Sequence, residues 1–194
     1  MKKLLSLFLI AVSLPSFAGT YDTTRTIYLP GFHTYVASGY VPSERNIEFL
    51  KELKGRVSTF KFVTFDTSKN NSNMLLCRAS FPVYGPNRTP FATLVEAAAN
   101  LELAESGLVS SDAPRIQATL DEFDFSSFGT GKWTIRATFT SDGIVPLVVK
   151  YEYVYKVSAG AVAGCADVMN AMPSGIESFL HALYSDPRFI EFAQ

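Results

Sequence analysis

The sequence predicts an α+β domain: a mostly antiparallel mixed sheet with two long helices packed on one face, ordered strand, helix, three strands, helix, behind a small N-terminal extension. Two stretches, 90–106 and 161–185, place apolar residues at helical spacing. Between them, segments alternate apolar and polar residues in the way of half-buried strands. An export leader stands in front of all of these.

That leader is residues 1–18. Lys2 and Lys3 form a positive start, Leu4 to Leu14 an apolar run, and Pro15-Ser16-Phe17-Ala18 a small-residue exit before Gly19, the pattern of a signal peptide. The run is about a dozen residues long, shorter than the roughly 20 that cross a bilayer, and no later stretch reaches that length. The expectation is a periplasmic or secreted protein that does not span a membrane. Lipid anchoring after export needs a cysteine at the cleavage site, and Phe17, Ala18, Gly19 and Thr20 offer none.

Residues 19–55 read as the extension. Thr24 to Leu29 and Thr34 to Ala37 are β-rich and broken by Pro30-Gly31, which suits a hairpin or an extended arm. Ser43 can cap a short helix in which Ile47, Leu50 and Leu53 recur before Gly55. The α+β domain then fills 56–194. Val57 to Phe65 reads as a strand, Asn70 to Asn73 as a turn, and Met74 to Val83 as a second strand carrying Cys77. In the first long helix Thr89 caps, Pro90 takes the first position, Phe91, Leu94, Val95, Ala98 and Leu101 form the apolar face, and Gly107 ends it.

Arg115 to Phe123 and Lys132 to Ser141 alternate next; in the latter Trp133, Ile135, Ala137 and Phe139 share one side. Asp142-Gly143 fits a tight hairpin into Ile144 to Val157, where Pro146 marks a bulge or an edge. From Ala161 onward Val162, Cys165, Met169, Met172, Ile176, Phe179 and Leu183 step by three or four. A kink or a break is expected at Pro173, and the helix ends before Pro187.

Composition excludes several classes of function. Without the two lysines of the leader the chain is acidic by about three charges, which argues against nucleic acid. Hydrophobic content of 47%, with 16 Phe and 9 Tyr, excludes a disordered chain. Cys77 and Cys165 are the only cysteines. In an oxidising compartment they most simply form one disulfide, which would stabilise the fold by on the order of 4 kcal/mol and staple the C-terminal helix to a strand of the sheet. The alternatives are two buried free thiols, or a metal pair assisted by His33 and His181.

Catalytic motifs are weak throughout. Gly129-Thr130-Gly131-Lys132 has Ser126 where a phosphate loop needs its first glycine, and its lysine leads into a strand. Asp121, Glu122 and Asp124 lack the spacing of a calcium loop, and no Gly-x-Ser-x-Gly elbow occurs. His181 falls on the helix side away from the apolar stripe, within reach of Glu177, and His33 follows Gly31-Phe32 in the arm. Both read as surface residues rather than catalytic bases. Tyr151, Tyr153 and Tyr155 alternate in phase with Val145, Leu147 and Val149, either as a face packed under the helices or as a tyrosine-lined partner surface. Tyr21, Tyr28, Phe32, Tyr35 and Tyr40 are a docking patch if exposed together and satellite core if packed.

Six passages together resemble a group of uncharacterised proteobacterial exported proteins over about residues 57–189. They are Cys77-Arg78-Ala79, the Phe-led helix from Phe91 to Gly107, Phe125-Ser126-Ser127 with Gly131-Lys132-Trp133, Ser141-Asp142-Gly143, Gly164-Cys165-Ala166 and Pro187-Arg188-Phe189. In element order the chain is also similar to YajG-like and ABC-transport auxiliary envelope lipoproteins, from which it departs by lacking the lipid-bearing cysteine. The resemblance implies an envelope accessory protein and not an enzyme.

The functional expectation is a non-catalytic periplasmic protein that binds another envelope protein through a sheet edge or an aromatic patch, without metal or cofactor. Tyr151, Tyr153 and Tyr155 are its candidate contacts. The alternative is a carrier of an apolar small molecule or lipid, which needs an enclosed apolar cavity of several hundred Å³ between helices and sheet. A hydrolase comes third and needs His33 or His181 beside a serine and a carboxylate.

Overall fold

The computed structural model describes residues 28–193 except 30, 31, 38, 55, 58, 61, 62, 69, 111, 114 and 115. The expected leader and Tyr21 lie outside the described residues, as do the side chains of Tyr28, Phe32 and His33. In chain order the elements are β1 (Tyr28–Leu29), β2 (Phe32–His33), β3 (Tyr35–Val36), α1 (Glu44–Leu53), β4 (Val63–Phe65), β5 (Met74–Cys77) and β6 (Phe81–Tyr84). They continue as α2 (Phe91–Ser106), β7 (Ile116–Ser126), β8 (Gly131–Thr140), β9 (Leu147–Tyr155) and α3 (Ala161–Ser185).

The α+β class predicted from sequence is the one observed. The main sheet runs β4-β7-β8-β9, antiparallel except for β4, which lies parallel to β7. Helices α2 and α3 pack on one face, and the other face carries charge. Inward residues of β7 run Ile116, Ala118, Leu120 and then Phe123, a slip of one that a bulge between Leu120 and Glu122 absorbs. Trp133 on β8 is fully buried, and its indole N–H donates to Val168 O at 2.9 Å, which ties β8 to α3. Phe123 bridges it to Phe91 on α2, with ring centroids 5.1 and 4.7 Å apart. The apolar phase of each element therefore converges on one core, and Leu50 and Leu53 of α1 belong to it.

Four local expectations need correction. Met74 to Val83 is not one strand: a turn closed by Ser80 N–H to Cys77 O, 3.1 Å, splits it into the hairpin β5–β6. Arg78 and Ala79 at its centre both hold positive φ, 49° and 57°, a conformation that neither residue type announces. The hairpin joins β3 in a separate sheet, β3-β6-β5, so Cys77 lies outside the main sheet. In α2, Pro90 occupies the capping position and the first helical residue is Phe91. Leu101 points outward, 40% exposed, while Glu102 takes the buried position one helical step after Ala98.

Other boundaries also move. Of the expected 57–65 strand, β4 covers Val63–Phe65, and Phe60 makes a single parallel bridge to Val109. α3 runs unbroken through Pro173 to Ser185, and Val162 at its start lies outside the buried stripe. Ser43 caps α1 and Gly107 closes α2 in the left-handed conformation.

Candidate functional site

The densest polar cluster joins the three helices. α1 begins where Ser43 caps it, and the Ser43 N–H donates to Glu102 Oε1 on α2 at 3.0 Å. Tyr40 O–H donates to the same oxygen at 2.6 Å, and Asn46 Nδ2 to both carboxylate oxygens at 3.2 and 3.1 Å. From α3, Glu177 Oε1 accepts from Ser43 Oγ at 2.8 Å, and Glu177 O accepts from Asn46 Nδ2 at 3.1 Å. Asn46 has thus committed its amide hydrogens, so its Oδ1, 3.0 Å from His181 Nδ1, accepts from that ring nitrogen.

Burial pushes the Glu102 carboxyl above its usual range, against the hydrogen bonds of Tyr40, Ser43, Asn46 and Tyr184. The Tyr40 and Tyr184 hydroxyls are raised by the same burial and by the nearby carboxylate. His181 is depressed, by desolvation first and then by Arg45, with Glu177 opposing. Its ring packs edge-on against Phe49, centroids 5.6 Å apart, so it is a half-buried contact between α1 and α3 and not the surface residue read from sequence. The apolar stripe of α3 does not reveal this, because α1 covers the side of α3 that the sheet leaves open. Chemically this cluster is a closed network of satisfied donors that holds α1 down.

A second cluster forms where Cys77 and Cys165 are joined by a disulfide. Arg78 reaches from the β5–β6 turn to the carbonyls of Ala159 at 2.6 Å, Ser158 at 2.9 Å and Ser127 at 3.1 Å. Gly164 is required beneath it, because a Cβ there would stand 2.7 Å from the guanidinium. Phe128 stacks on Arg78 at 5.3 Å, and an open cleft of about 370 Å³ lies among Phe128, Gly129, Val157 and Ser158. A polar cleft of about 300 Å³ opens on the charged sheet face among Asp66, Gln117, Asp121 and Thr140. The layer between helices and sheet is filled by Leu103, Phe139 and Phe179.

The third feature is the edge strand β9. Leu147 and Val149 are buried under α3, whereas Val145, expected in the same row, is 80% exposed in the preceding loop. Tyr155 lies over Gly131, where no side chain competes, and its O–H donates to Ser126 O at 3.2 Å. Tyr153 stacks on Tyr155 at 6.4 Å against the core. Tyr151 is 37% exposed, and Val148 and Val154 on the opposite side are 43% and 59% exposed. Among the described residues β9 pairs with β8 alone. In the arm, Tyr35 is buried with its O–H on Val162 O, and Tyr40 is half-buried on Glu102.

No family model and no curated protein matches the sequence. Solved structures similar in shape include the following two. One is a Xanthomonas campestris protein assigned to DUF330, with a TM-score of 0.45 and 9% identity, covering 76% of this chain and 92% of that one. The other is an uncharacterised protein, with a TM-score of 0.39 and 11% identity, covering 78% of this chain and 88% of that one. Neither likeness transfers a functional residue to this chain.

Proposed function

We propose that this chain is an exported, non-catalytic accessory protein of the cell envelope that binds another protein chain by strand addition at β9. The observation that carries the reading is the open edge itself: nine residues, Leu147 to Tyr155, paired on one side only among the described residues and carrying exposed Val148, Tyr151 and Val154. An edge of this length, with exposed valines flanking the charged pair Lys150 and Glu152, offers backbone donors and acceptors to an extended partner, with side-chain positions alternating on two faces. Export is supported by the disulfide and by the signal-like start of the sequence, and no helix among the described residues is long and apolar enough to cross a membrane. Around Glu102 the donors of Tyr40, Ser43 and Asn46 are all taken up by internal hydrogen bonds, which favours a structural over a catalytic role for that cluster.

A photo-crosslinking residue placed at Val148 or Val154 in intact cells tests this. Protein adducts are expected from both, and none from exposed Glu105 on α2. Equal labelling at all three, or purified protein turning over an ester, peptide or glycan in a manner abolished by one side-chain change, would refute it.

A further inference from the structure

Resting on the strand-addition reading, the charge pattern of β9 points to one occupant of that edge: we infer that it pairs with β9 of a second copy of this chain, antiparallel, with Tyr151 on the twofold axis. The strand reads Leu147-Val148-Val149-Lys150-Tyr151-Glu152-Tyr153-Val154-Tyr155. Laid antiparallel on itself about Tyr151, it sets Lys150 opposite Glu152 of the second copy, and Glu152 opposite its Lys150. Val148 then meets Val154, both exposed in the single chain, and on the helix side Val149 meets Tyr153 and Leu147 meets Tyr155.

The nearest alternative registers that keep the helices on one side shift the axis by one residue, and both fail. Centring on Lys150 opposes two lysines and sets Val148 against Glu152; centring on Glu152 opposes two carboxylates. The rows of the existing sheet point the same way. Glu122, Arg136 and Lys150 lie in register with one acid against two bases, and a second copy's Glu152 completes that row. Asp124, Thr134 and Glu152 form an acidic row whose in-chain bases, Lys132 and Lys150 at 3.0 and 3.9 Å from Glu152, sit in the neighbouring rows, and the second copy's Lys150 adds a base in register. The register of β8 with β9 is unbroken from Gly131↔Tyr155 to Phe139↔Leu147, so the edge has no bulge to turn it away. The product is one continuous sheet with both helix layers on the same side.

The test is sedimentation equilibrium of the disulfide-intact protein, wild type and charge variants. Wild type is expected to dimerise. Glu152→Lys, which opposes lysines twice, weakens association by about tenfold or more, and so does Lys150→Glu, which opposes carboxylates twice. The double variant Lys150→Glu with Glu152→Lys recovers near-native association, and an equimolar mixture of the two single variants forms a heterodimer. Unchanged near-ultraviolet circular dichroism shows each variant folded. A dimer indifferent to these changes, or a monomeric wild type, overturns the inference. A monomer that still gives adducts to a different envelope protein from Val154 leaves strand addition standing; a monomer with no adduct removes both.

Discussion

Helix α3 is fastened at two places by opposite chemistry. Near its start Gly164 and Cys165 meet the small sheet through a disulfide and through the Arg78 guanidinium, which donates to three carbonyls. Further along, Glu177, His181 and Tyr184 meet α1 and α2 around the buried Glu102, whose carboxyl is raised by burial while the His181 ring is depressed by it. One junction is set by redox state and the other by pH. The difference means that reductant and pH address different ends of the same helix.

The largest effect should come from the covalent junction. The disulfide closes a separation of 88 residues, so replacing both Cys77 and Cys165 by alanine is expected to cost about 4.5 kcal/mol in urea unfolding. Trp133, the single tryptophan, buried between β8 and α3, reports the transition. The loss should be the same at acidic and neutral pH. A loss that varied with pH would mean that the two junctions are coupled.

The carboxylate junction should respond next. Glu102→Ala strands the Tyr40 hydroxyl, the Ser43 N–H and the Asn46 amide, at a cost on the order of 3 kcal/mol. Its pH signature has a definite sign. The folded Glu102 pKa lies above the unfolded value, so its contribution is full below the unfolded value and is lost as pH rises through the folded one. His181 runs the other way: its folded pKa is depressed, so its contribution is present above about 6.5 and is lost as pH falls through the folded value. The stability gap between wild type and Glu102→Ala should therefore widen on acidification, measured by urea unfolding at several pH values. A constant gap would show that the carboxylate does not titrate differently on folding.

These two junctions were unequally legible in the sequence. Ser43 and Gly107 announce their helix ends because capping is local chemistry, and the alternation around Trp133 announces a strand because burial has period two. Glu102 was readable in principle, since it stands four residues after Ala98 on the buried face, but an exposed Leu101 beside it is the more attractive apolar choice. The Arg78–Ala79 turn was not readable: left-handed backbone without glycine or asparagine leaves no compositional trace. The self-complementarity of β9 lies in the open sequence, yet it means something only once strand order leaves that strand at the edge.

The smallest effect probes why the covalent junction tolerates that turn. Ala79 is exposed and holds φ 57°, a left-handed conformation that costs about 1–2 kcal/mol for a residue with a Cβ. Glycine removes that cost but gives back about 0.5–1 kcal/mol of unfolded-chain entropy. Ala79→Gly is therefore expected to stabilise the protein by about 0.5–1 kcal/mol in urea unfolding with the disulfide intact. The same substitution at Arg78 should instead destabilise, because the side chain that holds Ala159, Ser158 and Ser127 goes with it. If both glycines stabilised equally, the three carbonyl bonds of Arg78 would contribute nothing, and the disulfide alone would be the junction.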